Sequence, residues 1–341
     1  MTIKIPEHVL EIDEEGFPLS DGLRIEDEEV LRELFTNIKH LLPQQPKSPL
    51  ISTFGGIPVL LNAFDEALVA QSIDWIDDER SRWIFPGDVS FVVNHKNVYV
   101  DPWNRFHALI EPENIFAVLS RKAQGYFLNL IRTEEFKPKP YLHNDSKMLD
   151  SSFWSSAYVD KKDGWELGEA SPVLKHFGVP PWLDKNSKIL VPGAGRGHDA
   201  VFFESKGLNV TALDLVQDAF EGFRKIYPLS KIEYLLEDFF IFSEKNHEKF
   251  DAVFEHTIFC AIDPNLREKY LKGVLNLLKP QGTYFGIFFR EMWLGGPPFG
   301  MTQWQLRELT QKDFLYRKWE ISLNSIKNRQ GLEIFAVMQK R

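Results

Sequence analysis

The sequence predicts an α/β chain in two parts, and three observations predict it. Lys188-Ile189-Leu190-Val191-Pro192 is a short apolar run that ends in the turn Gly193-Ala194-Gly195-Arg196-Gly197, with a helix-like segment from Ala200 after it. A second apolar run, Val210-Thr211-Ala212-Leu213, ends on Asp214. Further apolar runs at residues 232–236, 250–254 and 283–289 alternate with helix-period segments at 217–227 and 266–278. Strand, glycine turn, helix, strand and acid form the first half of a nucleotide-binding unit, and the alternation that follows is that of a parallel sheet. The larger part, residues 151–341, is therefore a Rossmann-like domain. Residues 1–130 form a small β-rich (α+β) domain, and residues 131–150 a linker.

In the first part, Val30, Leu34, Ile38 and Leu41 fall on one helical face, with acids at the start and Pro43 as a stop. Strand patterns follow at residues 50–53, 57–61, 82–85, 89–93 and 97–100, separated by Gly55-Gly56, Pro86-Gly87 and Asn94-His95-Lys96. Lys137-Pro138-Lys139-Pro140 has linker composition. In the second part, residues 169–177 read as a covering helix, and residues 200–206 and 301–309 as further helices. Thr302 and Gln305 stand at capping-box positions of the last. Two late runs, 319–323 and 332–338, suit a closing hairpin and bring the sheet to seven strands.

Composition narrows the class of function. A chain of 341 residues with 43% hydrophobic content supports two cores. No run approaches the ~20 apolar residues of a membrane span. Met1-Thr2-Ile3-Lys4-Ile5-Pro6-Glu7 leads into acids, unlike a signal region. The single cysteine, Cys260, excludes an intrachain disulfide and a cysteine zinc cluster. A net charge of −9 argues against a nucleic-acid surface. A cytoplasmic monomer acting on a small molecule, with no nucleic acid, membrane or metal, is the expectation.

The glycine turn selects a cofactor. Dinucleotide sites read G-x-G-x-x-G, with a pyrophosphate facing the helix N-terminus. Here the spacing is G-x-G-x-G, and His198 stands where the last glycine would be. The pattern suits S-adenosyl-L-methionine, which has no phosphate, better than NAD. Asp214 is placed to accept from ribose hydroxyls. Asp238-Phe239-Phe240 follows the third apolar run, where an acid takes the adenine amino group and an aromatic covers the ring. The strand at 250–254 ends at Glu255-His256, and Leu277-Leu278-Lys279-Pro280-Gln281-Gly282 closes a helix into the fifth strand. This is the order of a class I methyltransferase.

Phe153-Trp154-Ser155-Ser156-Ala157-Tyr158 and Gly164-Trp165-Glu166-Leu167-Gly168 resemble the cofactor-covering segment of the thiopurine S-methyltransferase family, which includes thiocyanate and halide methyltransferases. The resemblance runs on through residues 191–197, Asp238-Phe239-Phe240, residues 256–262 and Gly295-Gly296-Pro297-Pro298-Phe299, and covers about residues 150–341. It implies that Trp154, Tyr158, Trp165, Gly193, Gly195, Asp214, Asp238, Phe239 and His256 line the cofactor site. At the position of His256 thiopurine enzymes resemble one another in an arginine and thiocyanate enzymes in a tyrosine, so the substrate class does not carry over.

His256 is the polar candidate at the acceptor end, with Phe259, Trp293, Pro297, Pro298 and Phe299 around it. Core anchoring would explain any one of these aromatics alone; near a sulfonium, aromatic faces contribute roughly 0.5–2 kcal/mol. His198 reads equally as a helix cap, Asp251 as a turn residue and Cys260 as a small buried hydrophobe. His107 and His143 read as surface or local structure. The predicted activity is in-line methyl transfer to a small soft nucleophile: a thiol, thiopurine, thiocyanate, halide or a selenium or tellurium species. The alternatives are a non-catalytic cofactor-binding module whose first domain recruits a partner, and an NAD oxidoreductase.

Overall fold

The computed structural model describes residues 6–41, 49–111, 114–131, 139–140, 150–290 and 295–341. Trp293, His143, Pro43 and most of the 131–150 linker lie outside them. Two compact units form, one of Met1–Asn144 with Arg290–Gly295 and Gly300–Leu306, the other of Asp145–Phe289, Gly296–Phe299 and Arg307–Arg341.

Among the described residues the first unit is built from sheets of six, three and five strands. Its leading helix, Glu28–Thr36, starts at Asp27, whose carboxylate accepts from the N–H groups of Glu29 and Val30. The helix stops short of Pro43. Asn37 donates to Glu33 O at 2.8 Å, and Lys39–His40 pairs as a strand with Leu50–Phe54. A second helix, Arg121–Ile131, and the buried strand Ile115–Leu119 have no counterpart in the sequence reading. Residues 290 and 302–304 belong to this unit because their side chains and backbone satisfy one edge of it. Arg290 donates to Leu61 O at 2.8 Å, Gln303 to Ala63 O at 2.7 Å and Thr302 to Asp65 Oδ1 at 3.0 Å. Thr302 and Gln305 cap each other reciprocally at 3.2 Å. His107 is fully buried, 3.1 Å from Asp101 Oδ2, and so is not a surface histidine.

The second unit holds one seven-stranded sheet. Its strands are β1 (Lys188–Pro192), β2 (Asn209–Asp214), β3 (Glu233–Leu236), β4 (Phe250–His256), β5 (Leu278–Phe289), β6 (Phe314–Ser322) and β7 (Glu333–Lys340). Their order is β3-β2-β1-β4-β5-β7-β6, with β7 antiparallel to both neighbours and the other pairs parallel. The chain reverses its winding between β1 and β4, where open α/β sheets bind ligands beyond the strand carboxyl ends. Helices α1 (Ser151–Val159), α2 (Pro172–Phe177), α3 (His198–Ser205), α4 (Gln217–Ile226), α5 (Phe239–Lys245) and α6 (Arg267–Leu277) precede or link the strands. The central strands are apolar because they are buried on both faces: Ile189, Leu190, Ala252, Val253 and Phe254 are wholly inaccessible.

At the pair Glu255–Gly286 the β4 and β5 backbones come so close that a Cβ on Gly286 would enter the Glu255 carbonyl. Gly286→Ala is therefore expected to destabilise the domain by about 1–3 kcal/mol, the usual range for overpacking, read as a lowered urea midpoint.

Candidate active site

The glycine turn leaves β1 at Gly193 and enters α3 at His198. Gly193, Gly195 and Gly197 have φ of 57°, 54° and 77°, a left-handed conformation that side chains disfavour. The Asp214 carboxylate at the end of β2 fastens the turn, accepting from Gly195 N–H at 2.8 Å and Val216 N–H at 3.0 Å. Tyr234 on β3 donates to Gly195 O at 2.6 Å. Burial pushes the Asp214 carboxyl up despite the backbone N–H groups that favour its charge. Among the described residues no cation is paired with it. A half-buried carboxylate served only by backbone donors can take further hydroxyl donors, as ribose would supply.

The covering segment packs onto this turn. Tyr158 and Trp154 project from α1, and Trp165 from the loop after it. Trp165 lies edge-on to both, with ring centroids 5.3 Å from Trp154 and 5.6 Å from Tyr158. Arg196, in the turn itself, reaches 2.7 Å to Asp163 and 2.9 Å to Glu166, and its guanidinium lies 5.0 Å from the Tyr158 ring. Burial opposes charge on Glu166, yet His198, the Gly168 N–H and Arg196 together hold its carboxyl down to about 2. His198 bridges Glu166 and the Tyr227 hydroxyl, each at 2.6 Å. The histidine that replaces a glycine thus ties the cover to α3.

At the end of β4, His256 Nδ1 sits 2.6 Å from Asp199 Oδ2. Asp199 lies in the first turn of α3, where the helix dipole favours an acid, and its other oxygen accepts from Ser171 N–H at 2.8 Å. Burial works against charge on His256, but Asp199 and Glu333 outweigh it and raise the pKa. Glu255 beside it is fully buried and accepts from the N–H groups of Ile258 (3.0 Å) and Phe259 (2.7 Å) and from the Tyr270 hydroxyl (2.7 Å). The turn includes Thr257 at φ 66°. It leads to Cys260, whose carbonyl accepts from Phe299 N–H at 2.6 Å. Arg267 fastens both pieces, at 3.3 Å to Phe259 O and 3.1 Å to Phe299 O.

Two aromatics of the predicted site are packed into the core. Phe239 is a core ring, 4.4 Å from Tyr270 and against Gly273, because α5 packs on α6 there. Phe259 is 2% exposed, between Tyr270, Phe288 and the Arg267 guanidinium. Ile258, not singled out from sequence, packs against the start of the turn: a Cβ at Gly193 would stand 3.1 Å from its Cδ1. Asp238 caps α5 through Ile241 N–H at 3.1 Å. Pro297, Pro298 and Phe299 are half-buried. Burial pushes the Cys260 thiol up to about 12, which suits a buried hydrophobe and not a nucleophile. Asp251 lies on β4 and not in a turn, its carboxylate accepting from Lys188 N–H and Lys279. Among the described residues no group of His, Cys, Asp and Glu is arranged to hold a metal, and no helix is long and apolar enough to cross a membrane.

Asp199 and Glu255 were missed because their partners lie far off in sequence or in the backbone. Asp199→Asn is expected to lower the His256 pKa, since burial then acts without the facing carboxylate. An NMR titration of the imidazole reads this directly, and an unmoved midpoint would contradict the pairing.

The sequence profile of the thiopurine S-methyltransferase family matches residues 149–333. A probable thiol methyltransferase 2 of Arabidopsis thaliana is 34% identical over 154 residues, covering 44% of this chain and 67% of the relative. Thiocyanate methyltransferase 1 of the same plant is 32% identical over 180 residues, 50% and 74% of the two chains. A thiopurine S-methyltransferase of Pseudomonas fluorescens is 23% identical over 199 residues, 50% and 90%. With the match spanning more than half of the sequence, on a sheet of the order described and a glycine turn closed by Asp214, the chain belongs to the thiopurine S-methyltransferase family and is an S-adenosylmethionine-dependent methyltransferase.

Proposed function

We propose that this enzyme methylates a small soft nucleophile, a thiol or thiol-like anion, at the His256 end of the sheet. The observation that carries the reading is the His256–Asp199 pair: a half-buried imidazole whose charge is favoured, at the carboxyl end of β4, one strand from the glycine turn. Such a group attracts and orients an anion. It is poorly suited to act as a general base, because its free-base form is disfavoured. Thiolates and similar soft anions need no base. The relatives with thiol, thiocyanate and thiopurine in their names support the same class.

S-adenosylmethionine, when bound, supplies an electrophilic methyl group on a sulfonium. The chain's own residues do the rest. Asp214 takes the ribose hydroxyls, and the end of β3 with Asp238 takes the adenine. Trp154, Tyr158 and Trp165 close over the cofactor and exclude water. His256, Ile258 and the 295–299 loop hold the acceptor in line, so that proximity and orientation carry much of the rate.

Three outcomes test this. Calorimetry with S-adenosylhomocysteine is expected to show binding, and NAD none. Asp214→Ala weakens it by on the order of 1.5–3 kcal/mol through lost charge-assisted hydrogen bonds. In a methyl-acceptor screen the expected substrates are thiols, thiocyanate, halides or metalloid anions; methylation of only a protein, nucleic acid or catechol would overturn the reading. With thiocyanate, which does not titrate, kcat is expected to fall as pH rises through the His256 pKa, above the ~6.5 of a free histidine. His256→Ala should remove that limb and lower turnover far more than cofactor affinity.

A further inference from the structure

We infer that Glu255 is a positioning residue for methyl transfer: its buried carboxylate fixes the turn of residues 256–260, and through it the 295–299 loop, in the geometry that presents the acceptor. The inference deepens the functional reading above and rests on it for the identity of the acceptor side.

The geometry is specific. Glu255 is wholly inaccessible, and the hydrogen bonds described above divide between its two oxygens. Oε1 takes the consecutive N–H groups of Ile258 and Phe259, while Oε2 takes the hydroxyls of Tyr270 on α6 and, at 3.4 Å, Tyr284 on β5. One side chain therefore ties a left-handed turn to a helix and to the neighbouring strand. What it fixes lies on the acceptor side. Ile258 stands against Gly193, His256 is its chain neighbour, and Cys260 O receives Phe299 N–H. No bond of Glu255 reaches Asp214, Asp238 or the covering segment, which belong to the cofactor side.

The carboxylate is better suited to this task charged than neutral, since hydrogen bonds to an ionised acceptor are roughly twice as strong. Burial pushes its pKa up to about 7, opposed by the Phe259 N–H and the Tyr270 hydroxyl. The titratable and charged groups facing it are Arg267 and Tyr270 from α6, Tyr284 from β5, and His256 and Cys260 from its own strand and turn. Arg267 stays protonated although burial lowers it to about 10. The sign follows. A carboxyl with a raised folded-state pKa lends stability below the unfolded value and loses it as pH rises through about 7. The turn, by contrast, is held more firmly above about 7. Glu255 thus produces an acid limb in kcat, opposite in direction to the limb assigned to His256.

Two variants of the full-length enzyme test this. Glu255→Leu removes both acceptors: the Ile258 and Phe259 amides are expected to exchange with deuterium about tenfold faster or more, while β5 stays protected. In the same variant thiocyanate turnover falls about tenfold and S-adenosylhomocysteine affinity stays within about twofold. Glu255→Gln keeps the shape without the charge. It should lose the acid limb while keeping the limb assigned to His256, and show intermediate exchange. Parental exchange at Ile258 and Phe259 in Glu255→Leu, an unchanged acid limb in Glu255→Gln, or equal losses of turnover and cofactor affinity would overturn the assignment. If Glu255→Leu does not fold, the limb and exchange of Glu255→Gln decide. If the parent methylates no soft acceptor, the functional reading fails, and the exchange measurements alone decide the role of Glu255.

Discussion

The catalytic unit hangs on the hydrogen bond from Gly195 N–H to the Asp214 carboxylate. It closes the left-handed turn between β1 and α3, and each part of the site is aimed from there. Arg196, inside the turn, grips Asp163 and Glu166 and so sets the loop that carries Trp165. His198, the next helical residue, meets Glu166 and Tyr227. Asp199, one residue further, meets His256. Three side chains in and just after a single turn, Arg196, His198 and Asp199, thus reach the loop of Trp165, the end of α4 and the end of β4. Glycine is favoured where φ is positive, and the Asp214 carboxylate pairs the Gly195 amide, while those of Ala194 and Gly197 bond to Leu213 O and Ala194 O.

Charge is distributed along the site with the same economy. Asp214 is half-buried with no cation paired to it among the described residues, and desolvation pushes its carboxyl up. At the other end the imidazole of His256 meets the Asp199 carboxylate, with Glu333 acting in the same sense and Arg329 against it. Arg329 also donates to Gly164 O at 2.9 Å, next to Trp165, so the acceptor end and the cover share one buried cation. One end of the site thus carries a carboxylate served by backbone amides, and the other an imidazole whose charge is favoured.

Much of this was legible in the sequence, for local reasons. Strand, glycine turn and acid occupy a short window with a fixed spacing, and the seven strands of the second unit follow from apolar runs. His256 stood out as a polar residue at a strand end. The pairing partners did not. Asp199 and His256 are 57 residues apart, and Glu255 acts on backbone amides, which leave no trace in residue types. Phe239 and Phe259 stand beside candidate site residues in sequence, but both rings pack against Tyr270 of α6, a contact that residue types do not announce. In the first unit the strand Leu68–Ala70 is wholly buried and three residues long, too short to show a period. Its leading helix ended early because strand pairing at Lys39–His40 overrode a continuing apolar face.

The central claim is that one turn divides a cofactor side, read by Asp214, from an acceptor side, read by His256. The most direct measurement is a crystal structure of the enzyme with S-adenosylhomocysteine. The account predicts ribose hydroxyls on Asp214, the adenine near Asp238, Trp165 over the ligand, and the sulfur directed toward His256 and Ile258. Ribose density away from Asp214, or a sulfur directed away from β4, would contradict it.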